Sequence, residues 1–343
     1  MRRLNRSART IDYLSEDMQT VVEERSLIER LRPRLAAEEK FARAGGKIKT
    51  KSFFRRHEKR FVAPAIKAGL QALRLYEVGR QQALRPVVTE FDLYFNDLPE
   101  AFDGFRLLQL ADLHIDGVDG LTEKLASLVH EIEADVCVLT GDYRFEDEGP
   151  CDEVYRCMRK LLPGIASRHG IYGILGNHDE SGMAFALEEM GVRMLINEAA
   201  AIDRGRQSIW LAGIDDPFDY KCDDLPAALT SIPSGAFKIL LAHTPDLYSD
   251  AADSGIHLYL CGHTHGGQVR LPKIGALRSN AKCPRDYTYR YWNHDGMHGY
   301  TSGGIGCSSL PVRLNCPPEI VLITLRRQNN PSQSSRCGNS SLD

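Results

Sequence analysis

The segment LCGHTHGGQV, residues 260–269, places two histidines one residue apart among glycines, directly after an apolar run. Glycine adopts positive φ angles at little steric cost and lets other groups approach the backbone closely. In many proteins such a segment is only a tight turn in which histidine fills space. Two imidazoles held this close together are also typical of a metal site, and the rest of the chain distinguishes between the two interpretations.

Several short apolar runs between residues 105 and 325 have the length and composition of buried strands. They alternate with amphipathic segments such as residues 121–134, which indicates an α/β domain. The runs are FRLLQLA (105–111), DVCVLTG (135–141), IYGILG (171–176), FKILLAH (237–243), IHLYLCG (256–262) and EIVLITL (319–325).

The first five of these runs each end at side chains that can bind a metal ion. These side chains are Asp112, His114, Asp142, Asn177, His178, Asp179, His243, His263 and His265. Taken singly, such residues have commoner roles, because Asp and Asn cap helices or form turns and a lone histidine is often hydrogen-bonded in the core. Since ligands collect at the carboxyl ends of strands in α/β sheets, the joint occurrence predicts one shared site.

The donor set of this predicted site consists of nitrogen and oxygen atoms. Imidazoles, carboxylates and an amide favour borderline divalent ions such as Mn, Fe, Zn or Co over calcium or a thiolate-rich zinc centre. Cys261 lies nearby in the sequence, but a cysteine that ends a buried strand is usually a packing residue. A pair of ions about 3.5–4 Å apart needs a bridging group, for which a carboxylate is suited.

The overall composition is that of an ordinary globular protein, with 43% hydrophobic and 26% charged residues and a net charge of −3. No overall basic field points to nucleic acid. The nine cysteines include no CxxC pair, which fits a reducing compartment. The N-terminus lacks the apolar core of a signal peptide, and no run approaches the roughly 18 apolar residues of a membrane-spanning helix. We therefore expect a cytoplasmic protein, unless a surface contact holds it at the inner face of the cell membrane.

Residues 1–85 predict two or three amphipathic helices, with Pro33 arguing against a long coiled coil. Within them, residues 47–66 interleave seven Lys and Arg with three Phe. This pattern suits an anionic membrane surface, where each basic residue adds roughly 1 kcal/mol. The alternatives are a solvated helix whose rings pack on the main domain, and a site for RNA or a protein partner. We predict a helical extension over 1–85, an α/β domain over 86–327 and a disordered polar tail over 328–343.

Five motifs occur in a recognisable order: ADLHIDG, LTGDYRF, ILGNHDE, LLAHTPD and CGHTHGG. They resemble the calcineurin-like metallophosphoesterase family, whose pattern is DxH, GD, GNHD/E, H and GHxH, over about residues 89–327. The later segments GHTHGGQVRLP and SGGIGCSSLPVR look like a branch of phosphodiesterases tethered to bacterial membranes. The resemblance implies a four-layer α/β/β/α sandwich of two mixed sheets, here with an N-terminal helical extension.

The same resemblance implies seven ligands for two divalent ions, expected to be Mn²⁺, with Fe, Zn or Co as alternatives. The ligands are Asp112, His114 and His265 for the first ion, Asn177, His243 and His263 for the second, and Asp142 between them. His178 matches the family's catalytic histidine, which Asp179 would orient. Outside this pattern, Arg144 and Arg313 are candidate phosphate clamps, although a surface or salt-bridged arginine is the commoner case.

The activity implied is that of a dinuclear metal-dependent phosphoesterase, in which a metal-bridging hydroxide attacks a phosphodiester or pyrophosphate bond. The specific expectation is a lipid-linked nucleotide, UDP-2,3-diacylglucosamine, cleaved to UMP and lipid X in lipid A biosynthesis. The alternatives are another phospholipid or nucleotide, a nuclease, and a metal-binding interaction scaffold. The scaffold is disfavoured because every ligand position is filled, and an amidohydrolase because its HxH normally comes first in the chain. Nucleic acid is not an expected partner, and the oligomeric state is left open.

Overall fold

The computed structural model describes residues 16–43, 63–276 and 280–328. Most of the basic segment 47–66 and nearly all of the polar tail 328–343 lie outside the described residues. Within the three described ranges, no helix combines the length and the apolar character needed to span a bilayer.

The first of two six-stranded sheets carries the first three of the five sequence motifs. Its strands, numbered in chain order and given in their order across the sheet, are β1 (Val87–Phe95), β14 (Glu319–Arg327), β2 (Phe105–Leu110), β3 (Val136–Leu139), β4 (Ile171–Gly173) and β5 (Val192–Met194). β14 and β2 run antiparallel, and every other neighbouring pair is parallel, so the sheet is mixed.

The second six-stranded sheet carries the last two motifs. Its strands, in their order across the sheet, are β12 (Arg290–His294), β13 (Met297–Thr301), β9 (Leu258–Cys261), β8 (Phe237–Leu241), β7 (Gln207–Gly213) and β6 (Glu198–Arg204). The two outermost pairs are antiparallel and the inner pairs are parallel. A small hairpin of β10 (Arg270–Leu271) and β11 (Gly275–Ala276) stands apart.

The α-helices of the described ranges include three in the N-terminal segment. They are α1 (Glu16–Arg43), α2 (Ala63–Ala72), α3 (Tyr76–Ala83), α4 (Leu121–Val129), α5 (Asp152–Leu161), α6 (Ser181–Glu189), α7 (Leu225–Leu229) and α8 (Tyr248–Asp253). α1 continues through Pro33 although proline cannot donate the helical hydrogen bond. Leu27 and Leu31 are buried just before that position, and this packing compensates for the missing bond.

The hydrophobic core lies in three layers between and outside the sheets. Between the sheets, side chains such as Leu107, Val138, Ile239 and Leu260 meet. A second cluster joins the outer face of the first sheet to α1, α4, α5 and α6, and a third joins the second sheet to α7 and α8. Each fully buried aliphatic side chain contributes roughly 1.5–3 kcal/mol. This order of helices, sheet, sheet and helices confirms the predicted four-layer α/β/β/α sandwich of two mixed sheets.

Candidate dinuclear metal site

The structure brings together all nine polar side chains predicted from the strand ends. They follow the carboxyl ends of β2, β3 and β4 in the first sheet and of β8 and β9 in the second, so the two sheets meet at this edge. All nine are buried, and His178 is the most exposed of them at 9%.

The backbone at these strand ends is bent to aim the side chains inward. Asp112, His114, Asp142, His263 and His265 all adopt positive φ angles. Such conformations cost non-glycine residues of order 1 kcal/mol or more, and they cluster at functional sites where the surrounding structure holds them.

Gly262 shows why glycine stands beside the two histidines of the HxH segment. A methyl group at Gly262 would come within 2.4 Å of the Asp112 carboxylate, so only glycine lets that carboxylate approach the backbone. The same carboxylate accepts a hydrogen bond from the His263 backbone N–H at 2.9 Å from each of its oxygens. The glycines therefore serve the convergence of ligands as well as the turn.

The donor atoms form two adjoining groups. In one, the ligand atoms of Asp112, His114 and His265 lie within 4.8 Å of one another, with 3.2 Å between the two Nε2 atoms. In the other, Asn177 Oδ1 lies 2.9 Å from His243 Nε2 and 2.9 Å from His263 Nδ1.

Asp142 stands between these two groups. Its Oδ2 atom is 3.2 Å from His243 Nε2 and 3.6 Å from His114 Nε2, so one oxygen reaches both groups. A carboxylate in this position has the geometry of a bridging ligand.

Backbone carbonyls fix the orientation of two of the imidazoles. His114 Nδ1 lies 2.5 Å from the Arg144 carbonyl oxygen, and His243 Nδ1 lies 2.9 Å from the Thr140 carbonyl oxygen. A carbonyl oxygen only accepts, so each Nδ1 donates, and once its Nε2 is deprotonated the ring directs that lone pair into the site. For His243 that lone pair faces the oxygens of Asn177 and Asp142. Burial lowers the pKa of His243, but the charges of Asp142 and Asp112 raise it to about 10. A proton on Nε2 therefore lies among these oxygens, and a divalent ion can take its place, so the donor set fits divalent ions.

Burial and mutual charge shift the protonation of these groups strongly. Burial, opposed by His243 and supported by the charge of the neighbouring Asp142, raises the pKa of Asp112 to about 7. Burial acts in the same direction on Asp142, but the adjacent His243 and His178 hold the pKa of that carboxyl well below its usual range. Burial lowers the pKa of His265 well below its usual value. The site therefore keeps Asp142 ionised and His265 neutral, as metal ligation requires.

His178 lies at the rim of the site and lines a cavity of about 260 Å³ with Asn177, His263 and His265. Its Nδ1 atom is 3.0 Å from the Phe145 carbonyl oxygen and 3.2 Å from Asp147 Oδ1. The structure therefore places Asp147, a residue that sequence reasoning missed, beside the imidazole.

Asp179 has a different set of contacts from the one expected. Its carboxylate accepts hydrogen bonds from the backbone N–H groups of Asp142, Tyr143 and Gly176, at 2.8, 2.9 and 2.8 Å. These bonds tie the segment after β3 to the segment after β4. Asp179 thus holds the backbone beneath the site, whereas Asp147 contacts the ring of His178.

Arg144 and Arg313 are not among the residues that line the cavity. Arg144 donates to the Gly149 carbonyl at 3.0 Å and pairs with Glu180 at 3.7 Å. Arg313 is fully buried and donates to the carbonyls of Gly306 and Cys316, with its Nη2 atom 3.3 Å from His265 Nδ1. Neither guanidinium group therefore reaches the cavity as a phosphate clamp.

The loop after β7 contributes residues that the sequence analysis did not select. Asp219 accepts a hydrogen bond from Asn177 Nδ2 at 3.0 Å, which turns Asn177 Oδ1 toward the histidines. The ring of Phe218 lies 4.3 Å from that of His263. Asp216 accepts from the backbone N–H groups of both Asp219 and Tyr220 at 2.8 Å. The pattern used to find the other strand ends also occurs at this loop, because the acidic pair Asp215 and Asp216 follows another apolar run, residues 209–213.

A four-layer α/β sandwich with a buried cluster of imidazoles, carboxylates and an amide at one edge is the framework of a metallohydrolase. Residues 105–267 match the family described as calcineurin-like phosphoesterase. The chain belongs to this family and is a metal-dependent phosphoester hydrolase. The family and the cluster together indicate a binuclear divalent metal site.

Similar proteins occur in bacteria and in vertebrates. The chain is 29% identical over 250 residues to the uncharacterized metallophosphoesterase YkuE of Bacillus subtilis, covering 70% of this chain and 86% of that protein. It is 30% identical over 230 residues to the phosphodiesterase YaeI of Escherichia coli, covering 64% and 82%. It is also 30% identical over 261 residues to a transmembrane protein with metallophosphoesterase domain of Danio rerio, covering 71% and 58%.

Proposed function

We propose that this hydrolase cleaves a phosphodiester or pyrophosphate bond at two divalent ions. The observation that carries the proposal is the position of Asp142, whose single oxygen reaches both donor groups. In this proposal Asp142 would hold both ions, and the other ligands would divide between them. The first set is Asp112, His114 and His265, and the second is Asn177, His243 and His263.

When bound, the two ions would lower the pKa of a water molecule and neutralise phosphate oxygens. Mn²⁺ is the ion we propose, with Fe, Zn or Co as alternatives that the same donors accommodate. Within the chain, Asp142 and Asp112 supply negative charge to hold the ions, and the backbone carbonyls behind His114 and His243 keep their Nε2 atoms directed inward.

His178 is the group we propose for proton transfer to the leaving oxygen. The Phe145 carbonyl and the Asp147 carboxylate both face its Nδ1 atom, so Nδ1 carries a proton and the ring presents Nε2 toward Asp142 at 4.0 Å. In its cationic form, with a second proton on Nε2, an imidazole held in this way donates from Nε2 to an oxygen in the adjoining cavity. Asp179 supports the same segment through the backbone.

The substrate we propose is lipid-linked, with UDP-2,3-diacylglucosamine as the specific candidate, hydrolysed to UMP and lipid X at the inner face of the cell membrane. Ala63, the first residue of α2, lines the cavity, so α2 begins at the site. On α2, Ile66 is 37% exposed, and Leu73, the residue after the end of this helix, is 69% exposed. Apolar side chains beside basic ones suit an anionic lipid surface.

Hydrolysis by the Mn²⁺-loaded protein tests the proposal, with UDP-2,3-diacylglucosamine compared with bis-p-nitrophenyl phosphate and the products identified. We expect UMP and the lipid monophosphate. Cleavage of the generic ester alone would favour another phospholipid or nucleotide, or a nuclease that a DNA substrate would reveal. No hydrolysis of any ester with Mn, Fe, Zn or Co would contradict the proposed mechanism.

A further inference from the structure

Arg34 of α1 is a charged side chain placed deep inside the protein. Its exposed fraction is 0%, although it belongs to a helix rich in charged residues. A buried guanidinium is tolerated only where its charge and its N–H groups are paired, because desolvation is otherwise too costly. The hydrogen-bond partners of Arg34 therefore show which segments its buried guanidinium holds in place.

The guanidinium of Arg34 contacts both ends of the segment that carries Asn177 and His178. Its Nη2 atom donates to the Gly176 carbonyl oxygen at 3.2 Å, and its Nη1 atom donates to the Asp179 carbonyl oxygen at 2.7 Å. These two carbonyls flank the candidate ligand and the candidate proton donor directly. A change in the position of Arg34 would move both.

The same guanidinium also holds the loop that follows β7. Its Nε and Nη2 atoms donate to Asp215 Oδ1 at 2.9 and 2.6 Å, and the Tyr220 ring lies 4.0 Å from its central carbon. Between these two contacts, Asp219 accepts the hydrogen bond from Asn177 Nδ2. Arg34 thus joins the two segments that set the orientation of Asn177.

A second contact one helical turn later fixes α1 against the same segment. Glu38 accepts hydrogen bonds from the backbone N–H and the hydroxyl of Ser181, at 2.7 and 2.6 Å. Residues four apart lie on one face of a helix, so Arg34 and Glu38 form a continuous contact. The motif segment from Gly176 to Ser181 is therefore held from behind by α1.

We propose that Arg34 is a positioning residue of the metal site, and that α1 is for this reason part of the catalytic machinery rather than an appendage. Arg34 acts through the backbone of Gly176 and Asp179 and through Asp215, and it touches neither ions nor substrate. The inference rests on the proposed metal site, and it assigns to the N-terminal helix a role in holding the Asn177 side of that site.

The test compares Arg34→Met with Arg30→Met in the full chain. Arg30 lies on the same helix one turn earlier and pairs with Glu198, so it is a matched control. Mn²⁺ binding is measured by titration calorimetry and by electron paramagnetic resonance, and kcat and KM are measured on bis-p-nitrophenyl phosphate. We expect Arg34→Met to weaken binding of one of two Mn²⁺ ions about 10- to 100-fold and to lower kcat at saturating Mn²⁺. Arg30→Met should retain both.

Arg34→Lys separates positioning from folding. Lysine keeps the charge but lacks the planar fork that serves two carbonyls and a carboxylate together, so an intermediate Mn²⁺ affinity is expected. A folded Arg34→Met or Arg34→Lys protein with wild-type Mn²⁺ affinity and kcat overturns the inference. Failure of both variants to fold also overturns it, because Arg34 would then serve only the fold. If no ester is hydrolysed but Arg34→Met still weakens Mn²⁺ binding, the proposed function fails and the inference stands.

Discussion

His178 lies at the boundary between the buried candidate ligands and the cavity, as its proposed role of proton donor to a leaving group requires. Its Nε2 atom is 4.0 Å from Asp142 Oδ2, while its Nδ1 atom is held by the Phe145 carbonyl. The ligand atom of His178 also lies within 4.8 Å of those of His114 and Asp142, and the proposed mechanism assigns it to proton transfer instead of to ligation.

We predict that His178→Ala retains both metal ions and loses most turnover. Removal of a general acid costs about 10²- to 10⁴-fold in rate, and the seven proposed ligands remain in place. The measurement is kcat on bis-p-nitrophenyl phosphate at saturating Mn²⁺, together with metal content by mass spectrometry. His130→Ala, at an exposed position, is the control. A kcat near that of the wild type would remove His178 from the mechanism.

His257 provides a test of pH-dependent stability away from the site. Its ring stacks on Phe237, and its Nδ1 atom accepts a hydrogen bond from the Lys238 backbone N–H at 3.0 Å, which requires that nitrogen to be unprotonated. Burial lowers the pKa of His257 from the ordinary value of 6.5. The unfolded chain therefore binds the proton more readily, and stability contributed by neutral His257 is lost as pH falls below 6.5 through the folded-state pKa.

We predict that His257→Gln flattens the pH dependence of stability, because glutamine retains an acceptor but does not titrate. The free energy of unfolding is measured by urea denaturation in pH steps from about 7 to 5, where an unperturbed histidine begins to titrate. The wild-type protein should lose more stability across this interval than the variant. His130→Gln is the matched control, and equal slopes for wild type and His257→Gln would contradict the prediction.

The candidate ligands could be found from sequence because each follows a local pattern, an apolar run and then a donor. Asp147, Asp219 and Arg34 could not be found in this way. Asp147 and Asp219 lie in loops several residues beyond a strand end, and their roles depend on contacts with segments distant in sequence. Arg34 resembles the surface charges of its own helix, and only the packing of α1 shows that it is buried.

At the scale of elements, five of the six predicted strands are continuous apolar ones. β2, β3, β8, β9 and β14 are buried along most of their length, so their sequences are apolar without alternation. The sixth, β4, is three residues long and only partly buried. Edge strands such as β1 and β12 carry exposed residues along most of their length and therefore lack that signal. The sequence thus identified the central strands of each sheet and the site at the carboxyl ends of those strands. The outer strands are recognised only from their hydrogen-bond pairing in the structure.

Among the helices of the N-terminal segment, α1 packs directly against the main domain. Leu27 and Leu31 are buried in the cluster outside the first sheet, and Arg34 neutralises Asp215, which is itself 1% exposed. A helix with these contacts packs as part of the main domain. The packing of rings from the basic segment onto that domain, in contrast, concerns residues outside the described ranges.

We predict that a chain starting at residue 63 is strongly destabilised. Breaking a buried ion pair by removing one partner costs about 3–5 kcal/mol, and exposing the surface under two buried leucines adds roughly 1.5–3 kcal/mol for each. Together these losses approach the 5–15 kcal/mol of stability that is typical of a whole domain. Thermal unfolding followed by circular dichroism checks this, with Leu31→Ala in the full chain as a graded comparison. An unchanged unfolding temperature in the shortened chain would show that α1 is dispensable.

At the scale of the whole molecule, the proposed membrane contact requires the site, the apolar side chains and the basic segment to lie on one side. α2 begins at the cavity and carries the exposed Ile66, while the hairpin of β10 and β11 encloses Ile274, which is 64% exposed. Residues 47–60 contribute seven basic side chains immediately before α2. Since removal of α1 would destabilise the fold, the contact must be tested by charge substitution in the intact chain rather than by truncation.

We predict that the intact chain binds anionic vesicles and that replacing Lys47, Lys49 and Lys51 together by Gln weakens this binding. Each basic residue near a negatively charged surface contributes about 1 kcal/mol, or about 5-fold in the partition constant, so three substitutions should give a loss well above 10-fold. Co-sedimentation with phosphatidylglycerol vesicles measures the effect, with phosphatidylcholine vesicles and the exposed-site variant Lys124→Gln as controls. The binding should also weaken as salt rises, because screening shortens the range of the attraction. Equal sedimentation of the triple variant and the wild type would exclude an electrostatic membrane contact through this segment and leave the substrate to be sought among soluble phosphoesters.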